Sequence, residues 1–95
     1  MTHYRKVYTK QFRRDLRRLE KSGFDMHKLE VVISTLAAGE MLSDIHRDHM
    51  LKGVMKGSRE CHIGLDWILR YIKRDDVMVL LLLSTGGHRR VLGIE

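Results

Sequence analysis

The sequence contains no proline and a single cysteine, Cys61. Without proline, turns must be built from Gly, Asp and Ser, and with one thiol no disulfide can close within the chain. A reducing, cytoplasmic setting fits that cysteine usage. Long apolar runs are missing as well. The longest, Val77 to Leu83, spans seven residues, whereas a bilayer-spanning helix needs roughly 20. The N-terminus is basic but lacks an apolar stretch of signal-peptide length, so neither export nor a membrane partner is expected. Negative charge is also in deficit. Twelve acidic residues face 18 Lys and Arg, a formal charge of +6, and this balance favours polyanionic partners such as RNA, DNA, the ribosome or an acidic protein.

Ninety-five residues with 43% apolar and 32% charged side chains describe one globular domain, residues 1–95, with room for a single core. No repeat, low-complexity segment or inter-domain linker interrupts it. Residues 3–8 are rich in β-formers and predict a short strand. Thr9 is a helix N-cap, and Phe12, Leu16 and Leu19 recur at helical spacing from Lys10 to Lys21. Ser22-Gly23 is a helix stop. Asp25 caps a second helix with the apolar stripe Met26, Leu29, Val32 or Ile33, and Leu36, which Gly39 ends. The short link between them implies an antiparallel helical hairpin.

Residues 40–50 show no clean period and read as a loop. Strands follow at Ser58–Ile63, Asp66–Ile72 and Val77–Leu83. Arg74-Asp75-Asp76 forms a turn between the last two. The third strand is apolar on both faces and is expected in the sheet interior, and Gly86-Gly87 breaks it before a short tail. The order predicts an α+β fold: an N-terminal strand and a helical hairpin packed on an antiparallel β-meander.

Histidines gather in the C-terminal half, at His49, His62 and His88, with Asp66 between the last two. Imidazole exchanges protons near neutral pH, and beside a basic surface this suits proton transfer on a phosphodiester. The segments Asp48-His49, Leu51-Lys52-Gly53, Lys56-Gly57, Arg59-Glu60-Cys61-His62 and Asp66-Trp67, with Lys10-Gln11-Phe12, Asp15-Leu16 and Ser22-Gly23-Phe24-Asp25 upstream, resemble the YafQ branch of the RelE-like toxins of bacterial type II toxin–antitoxin modules. The match runs over most of the chain, and its specificity lies in the order and spacing of these segments together.

The resemblance implies a small microbial-ribonuclease-like α+β domain that cleaves mRNA in the ribosomal decoding site and is neutralised by an antitoxin, one expected to be acidic where it covers this basic surface. By position it places the catalytic groups at His49, His62, Asp66 and His88, and an aromatic near the site at Trp67. We expect His88 to act as general acid, His49 as base, His62 to share either role and Asp66 to orient a histidine. Lys52, Lys56, Arg59, Arg89 and Arg90 are the candidate RNA-binding cations, and Trp67 a candidate base-stacking ring. No cofactor or metal is expected, since no ligand set with recognisable spacing stands out; His46, three residues before His49, is the one hint of a metal pair.

The chain departs from the family pattern at Ser84, where an arginine is usual, and at Leu92, where the terminal aromatic is usual. Both departures imply attenuated cleavage, with Arg89-Arg90 a partial replacement for the arginine. The alternative function is a binding module that keeps affinity for ribosome, RNA or antitoxin but has lost cutting power. A basic DNA-binding domain is the remaining class, without a convincing helix-turn-helix. The blander readings are a solvated helix face for Arg13 to Lys21, core packing for Trp67, a small buried side chain for Cys61 and surface positions for His3 and His27. Arg70, in an otherwise apolar strand, has no reading from sequence.

Overall fold

The computed structural model describes residues 3–93. Strand β1 (Arg5–Tyr8) leads into α1 (Lys10–Lys21) and α2 (Met26–Ala37). The α1 boundaries follow from local chemistry: the Thr9 hydroxyl accepts the Phe12 N–H, and the chain leaves the helix through Ser22 and Gly23 at φ +81°, a left-handed conformation that glycine adopts without cost. The Asp25 carboxylate caps α2 in the same way by accepting the His27 N–H.

A one-turn 3-10 helix, Asp44–His46, precedes strand β2 (His49–Met50), and a second, Gly53–Met55, precedes β3 (Arg59–Gly64); β4 (Trp67–Arg74), β5 (Val79–Gly86) and a five-residue helix α3 (His88–Leu92) complete the chain. The sheet order is β1-β5-β4-β3-β2. Strands β2 to β5 form the expected antiparallel meander, while β1 pairs with β5 in parallel, which makes the sheet mixed.

Three features depart from the sequence reading. The stretch 40–50 is not all loop, since His49 and Met50 pair with Glu60 and Arg59. The last strand starts two residues late and runs on to Gly86, because Val77 and Met78 belong to the turn, Met78 at φ +53°, while Ser84 to Gly86 pair with Arg70 to Ile68. The tail after Gly87 is helical.

The core lies between the two helices and one face of the sheet. Phe12, Leu19, Leu29, Val32 and Leu36 meet Cys61, Trp67, Leu69, Tyr71, Leu80 and Leu82, all buried. Alternation along the strands therefore sends Glu60, His62, Ile68, Arg70 and Ser84 to the opposite face, and α3 folds back beside that face through the buried Val91. Beneath the end of β5, the buried Asp15 carboxylate takes the Thr85 N–H at 3.1 Å, Gln11 at 2.9 Å and Arg18 at 2.9 Å, which ties α1 to the strand that delivers His88.

Candidate active site

The face opposite the helices brings together residues far apart in the chain. Register sets a rung across four strands: His49 lies opposite Glu60, Glu60 opposite Arg70, and Arg70 opposite Ser84. The neighbouring rung places His62 opposite Ile68 and Ile68 opposite Gly86, where the chain turns into α3 and presents His88. Gly86 carries φ +145°, a backbone conformation that L side chains rarely adopt, so the turn requires glycine.

At the centre is Glu60, 4% exposed. The Nε2 atoms of His49, His62 and His88 lie 3.4, 3.4 and 3.3 Å from its carboxylate oxygens. The His62 ring is 5.0 Å from the His88 ring and 6.5 Å from that of His49, centroid to centroid. Two of the imidazoles are fixed from behind. His49 Nδ1 donates to the Arg47 carbonyl at 2.7 Å, and His88 Nδ1 donates to Asp66 at 2.8 Å, with the His88 backbone N–H on the same Asp66 oxygen. With Nδ1 committed as donor, Nε2 is left as the nitrogen that exchanges protons. His46 Nδ1 donates to the His62 carbonyl at 2.7 Å, so His46 braces the strand beneath the cluster without belonging to it.

Burial lowers the His62 pKa below the ordinary imidazole value, against the opposing pull of the Glu60 charge, and the neighbouring His88 lowers it further. Asp66 is held below the usual carboxylate range by its hydrogen bonds from His88. One imidazole is thus biased toward the proton-accepting form, and another is gripped by an ionised carboxylate. Glu60, His62 and His88 also present one ligand atom each within 4.8 Å of one another. Two imidazoles and a carboxylate are a donor set suited to copper or zinc. Sequence spacing concealed it, because one ligand comes from the far end of the chain.

The expected site residues divide. His49, His62, Asp66 and His88 come together. Arg59 does not: it projects from the opposite face of β3, where its guanidinium holds Asp48 at 3.2 Å, an Asp48 that also accepts from Tyr71 at 2.5 Å. Trp67 is not available to stack on a base, since it is 5% exposed, packs edge-on against Phe24 and donates to Thr85 at 2.9 Å. Lys52 and Lys56 are exposed on either side of the second 3-10 turn, and Arg89 and Arg90 are exposed on α3. The residue that sequence reasoning passed over is Glu60. Its signal was present, for alternation puts it on the His62 face, but its centrality depends on the pairing of β2, β3 and β4.

A five-stranded mixed sheet with two helices on one face is the α+β architecture of known small toxins, and this chain carries a histidine–carboxylate cluster on the other face. The family model for the bacterial toxin of type II toxin–antitoxin systems, YafQ, matches residues 4–93. The chain belongs to that family. It is 33% identical over 87 residues to the mRNA interferase toxin YafQ of Escherichia coli, covering 90% of this chain and 92% of that one. Among solved structures, a copper-bound mutant toxin from Helicobacter pylori superposes with a TM-score of 0.87 at 39% identity, covering 93% and 98% of the two chains. The toxin in the Escherichia coli DinJ–YafQ complex superposes with a TM-score of 0.86 at 32% identity, covering 95% and 99%.

Proposed function

We propose that this toxin is an endoribonuclease that cuts mRNA on the ribosome, by attack of a ribose 2′-OH on the adjacent phosphate with histidine acid–base catalysis. The observation that carries the reading is the convergence of three imidazole Nε2 atoms, from β2, β3 and α3, on one buried carboxylate. RNA brings its own nucleophile, so the protein must supply a base, an acid and positive charge around the phosphorus. The base takes the 2′-OH proton as the O2′–P bond forms. The P–O5′ bond breaks, and the acid protonates the departing O5′. The products are a 2′,3′-cyclic phosphate and a 5′-OH end, with atoms and charge accounted for.

His88 is the general acid in this scheme. Asp66 fixes its ring through Nδ1, which leaves Nε2 to carry the proton that moves. The base is His49 or His62, and the lowered pKa of His62 favours a proton acceptor there. Glu60 is a positioning residue: buried, it aligns the three rings and stabilises the imidazolium created when the base takes its proton. General acid–base help of this kind supplies roughly 10²–10⁴ in rate, and the fixed ring geometry adds the benefit of orientation. Should a metal ion occupy the site, Glu60, His62 and His88 would hold it, and it would supply positive charge at the phosphate.

The partners in this reading are mRNA, the ribosome and an antitoxin, acidic where it meets the +6 surface, in the bacterial cytoplasm. The DinJ–YafQ complex of Escherichia coli supports the antitoxin. The competing reading is a binding module with weakened cleavage, favoured by Ser84 and Leu92. An mRNA-programmed ribosome assay with end mapping separates them. We expect cyclic-phosphate ends that disappear in His88→Ala and persist in chelator. Uncut message with retained ribosome binding would establish the module, and loss of cleavage in chelator would make the metal essential.

A further inference from the structure

Arg70 sits where no structural requirement explains it. It emerges from the middle of β4 on the histidine face, flanked in register by Glu60 on one side and Ser84 on the other. Adjacent strands are about 5 Å apart, so its stem is one strand away from the carboxylate that all three histidines face. Its only side-chain hydrogen bond among the described residues runs from Nε to the Ser58 hydroxyl at 3.0 Å. The arginines of the neighbouring strand and of the end of β4 are neutralised, Arg59 by Asp48 at 3.2 Å and Arg74 by Asp76 at 2.6 Å, and Arg18 of α1 is held by Asp15 at 2.9 Å. No such partner lies within 4 Å of Arg70 among the described residues. Half-buried, it keeps its terminal N–H groups unpaired by carboxylate.

A second observation points the same way. Ser84 is 7% exposed, and its hydroxyl is the one buried side-chain polar atom among the described residues with no hydrogen-bond partner. A buried hydroxyl left unpaired costs stability, so a position that tolerates one is a candidate for a ligand contact. The irregularity between Arg70 and Tyr71 inserts Leu83 between paired residues, and it is this bulge that sets Ser84, rather than its neighbour, opposite Arg70. Arg70, Ser84, Gln11 and Arg90 line a cleft of about 360 Å³. Asp15 also borders it, but its oxygens are taken by Gln11, Arg18 and the Thr85 N–H.

We infer that this cleft is a phosphate subsite for the message, with Arg70 the binding residue that clamps a phosphodiester oxygen beside the histidines and Ser84 a second donor. The inference rests on the proposed ribonuclease reading for its place in the reaction, although the anion contact stands on geometry alone. A guanidinium pre-oriented by Ser58 presents the planar fork suited to phosphate oxygens, and it adds positive charge beside the carboxylates Glu60 and Asp66.

The test uses the intact chain in two arms. In the first, a short 2′-O-methyl RNA, which cannot be cleaved, is titrated at low salt while the Arg70 Nε–H and Ser84 amide resonances are followed. Both should shift, and in Arg70→Gln the Ser84 response should vanish while the slope of log affinity against log salt falls by about 0.7. In the second arm, cleavage on programmed ribosomes should slow by roughly 10- to 100-fold in Arg70→Gln. It should recover most of that loss when Arg70→Ala is combined with Ser84→Arg, which moves the cation one strand over. Arg70→Met, which keeps the stem, should be as impaired as Arg70→Gln.

Resonances at Arg70 and Ser84 that ignore the oligonucleotide would overturn the subsite, as would an Arg70→Met chain that cleaves at the parental rate. A parent that binds the oligonucleotide through Arg70 but never cuts would leave the subsite standing and remove the nuclease reading. A parent that cuts equally well without Arg70 would do the reverse.

Discussion

The two faces of one strand carry opposite tasks. On β3, Cys61 and Ile63 point into the helix-covered core, while Glu60 and His62 point to the other side and join the histidine cluster. The covered face is aliphatic and aromatic, closed by Phe12, Leu29, Leu80 and Leu82, each at most 1% exposed. Its titratable groups are held neutral: burial, with the Asp48 hydrogen bond, pushes the Tyr71 hydroxyl far above its ordinary pKa, and burial does the same to the Cys61 thiol. The open face concentrates titratable groups, including a buried carboxylate with three imidazoles around it. The first face holds the backbone still, and the second uses that rigidity to keep the rings aligned.

Two substitutions on adjacent sides of this division should behave differently. Leu69 is fully buried on the covered face, and Leu69→Ala should destabilise the domain by about 2–5 kcal/mol through lost burial and a residual cavity. A domain of this size has only roughly 5–15 kcal/mol to lose, so cleavage should fall in parallel with the folded fraction and recover when the variant is assayed at low temperature. Chemical denaturation checks it, and a shift under 1 kcal/mol would mean the covered face is not the main source of stability.

Glu60→Gln keeps the shape of the site and removes its central charge. We expect folding to survive and turnover to fall roughly 10- to 100-fold, below what a lost acid or base costs. The distinguishing readout is the pH profile. A carboxylate favours the charged form of a neighbouring imidazole, and Glu60 exerts that pull on His62. Its removal should therefore move the acid limb of the rate profile to lower pH. An unshifted limb with reduced turnover would demote Glu60 to a packing role.

Legibility in the sequence followed the same division. The covered face was readable because it rests on local pattern: Phe12, Leu16 and Leu19 at helical spacing, the caps Thr9 and Asp25, and the apolar run that became β5. What escaped was set by pairing between distant segments. Two residues, His49 and Met50, are too short a strand for any period to betray. Parallel pairing of β1 with β5 leaves no trace in either strand alone. The five-residue α3 offers a single buried apolar side chain, Val91. Trp67 could be assigned to stacking or to core with equal reason until the bulge at Gly64 fixed its side of the sheet. The histidines and Asp66 were found through the family pattern, and alternation alone would have given Glu60. Arg70 acquired meaning only when register set it between Glu60 and Ser84.

The smallest effect expected is on stability against pH, and it belongs to the open face alone. The folded chain holds the His62 pKa below its ordinary value, chiefly through burial. Above the ordinary imidazole value of about 6.5 the ring is neutral in both folded and unfolded chains and contributes no difference. As pH falls below it, the unfolded chain takes up a proton that the folded chain resists, so the equilibrium moves toward unfolding. The native advantage of a neutral His62 is thus present above that pH and lost as pH drops through the lowered folded value. Replacing the ring with an amide in His62→Gln removes this contribution. Denaturant midpoints at pH 7.5 and 5 should therefore lie closer together in the variant than in the parent. Equal gaps would mean that burial of His62 does not penalise its charge, and with that the physical reason for preferring it as a proton acceptor would be gone.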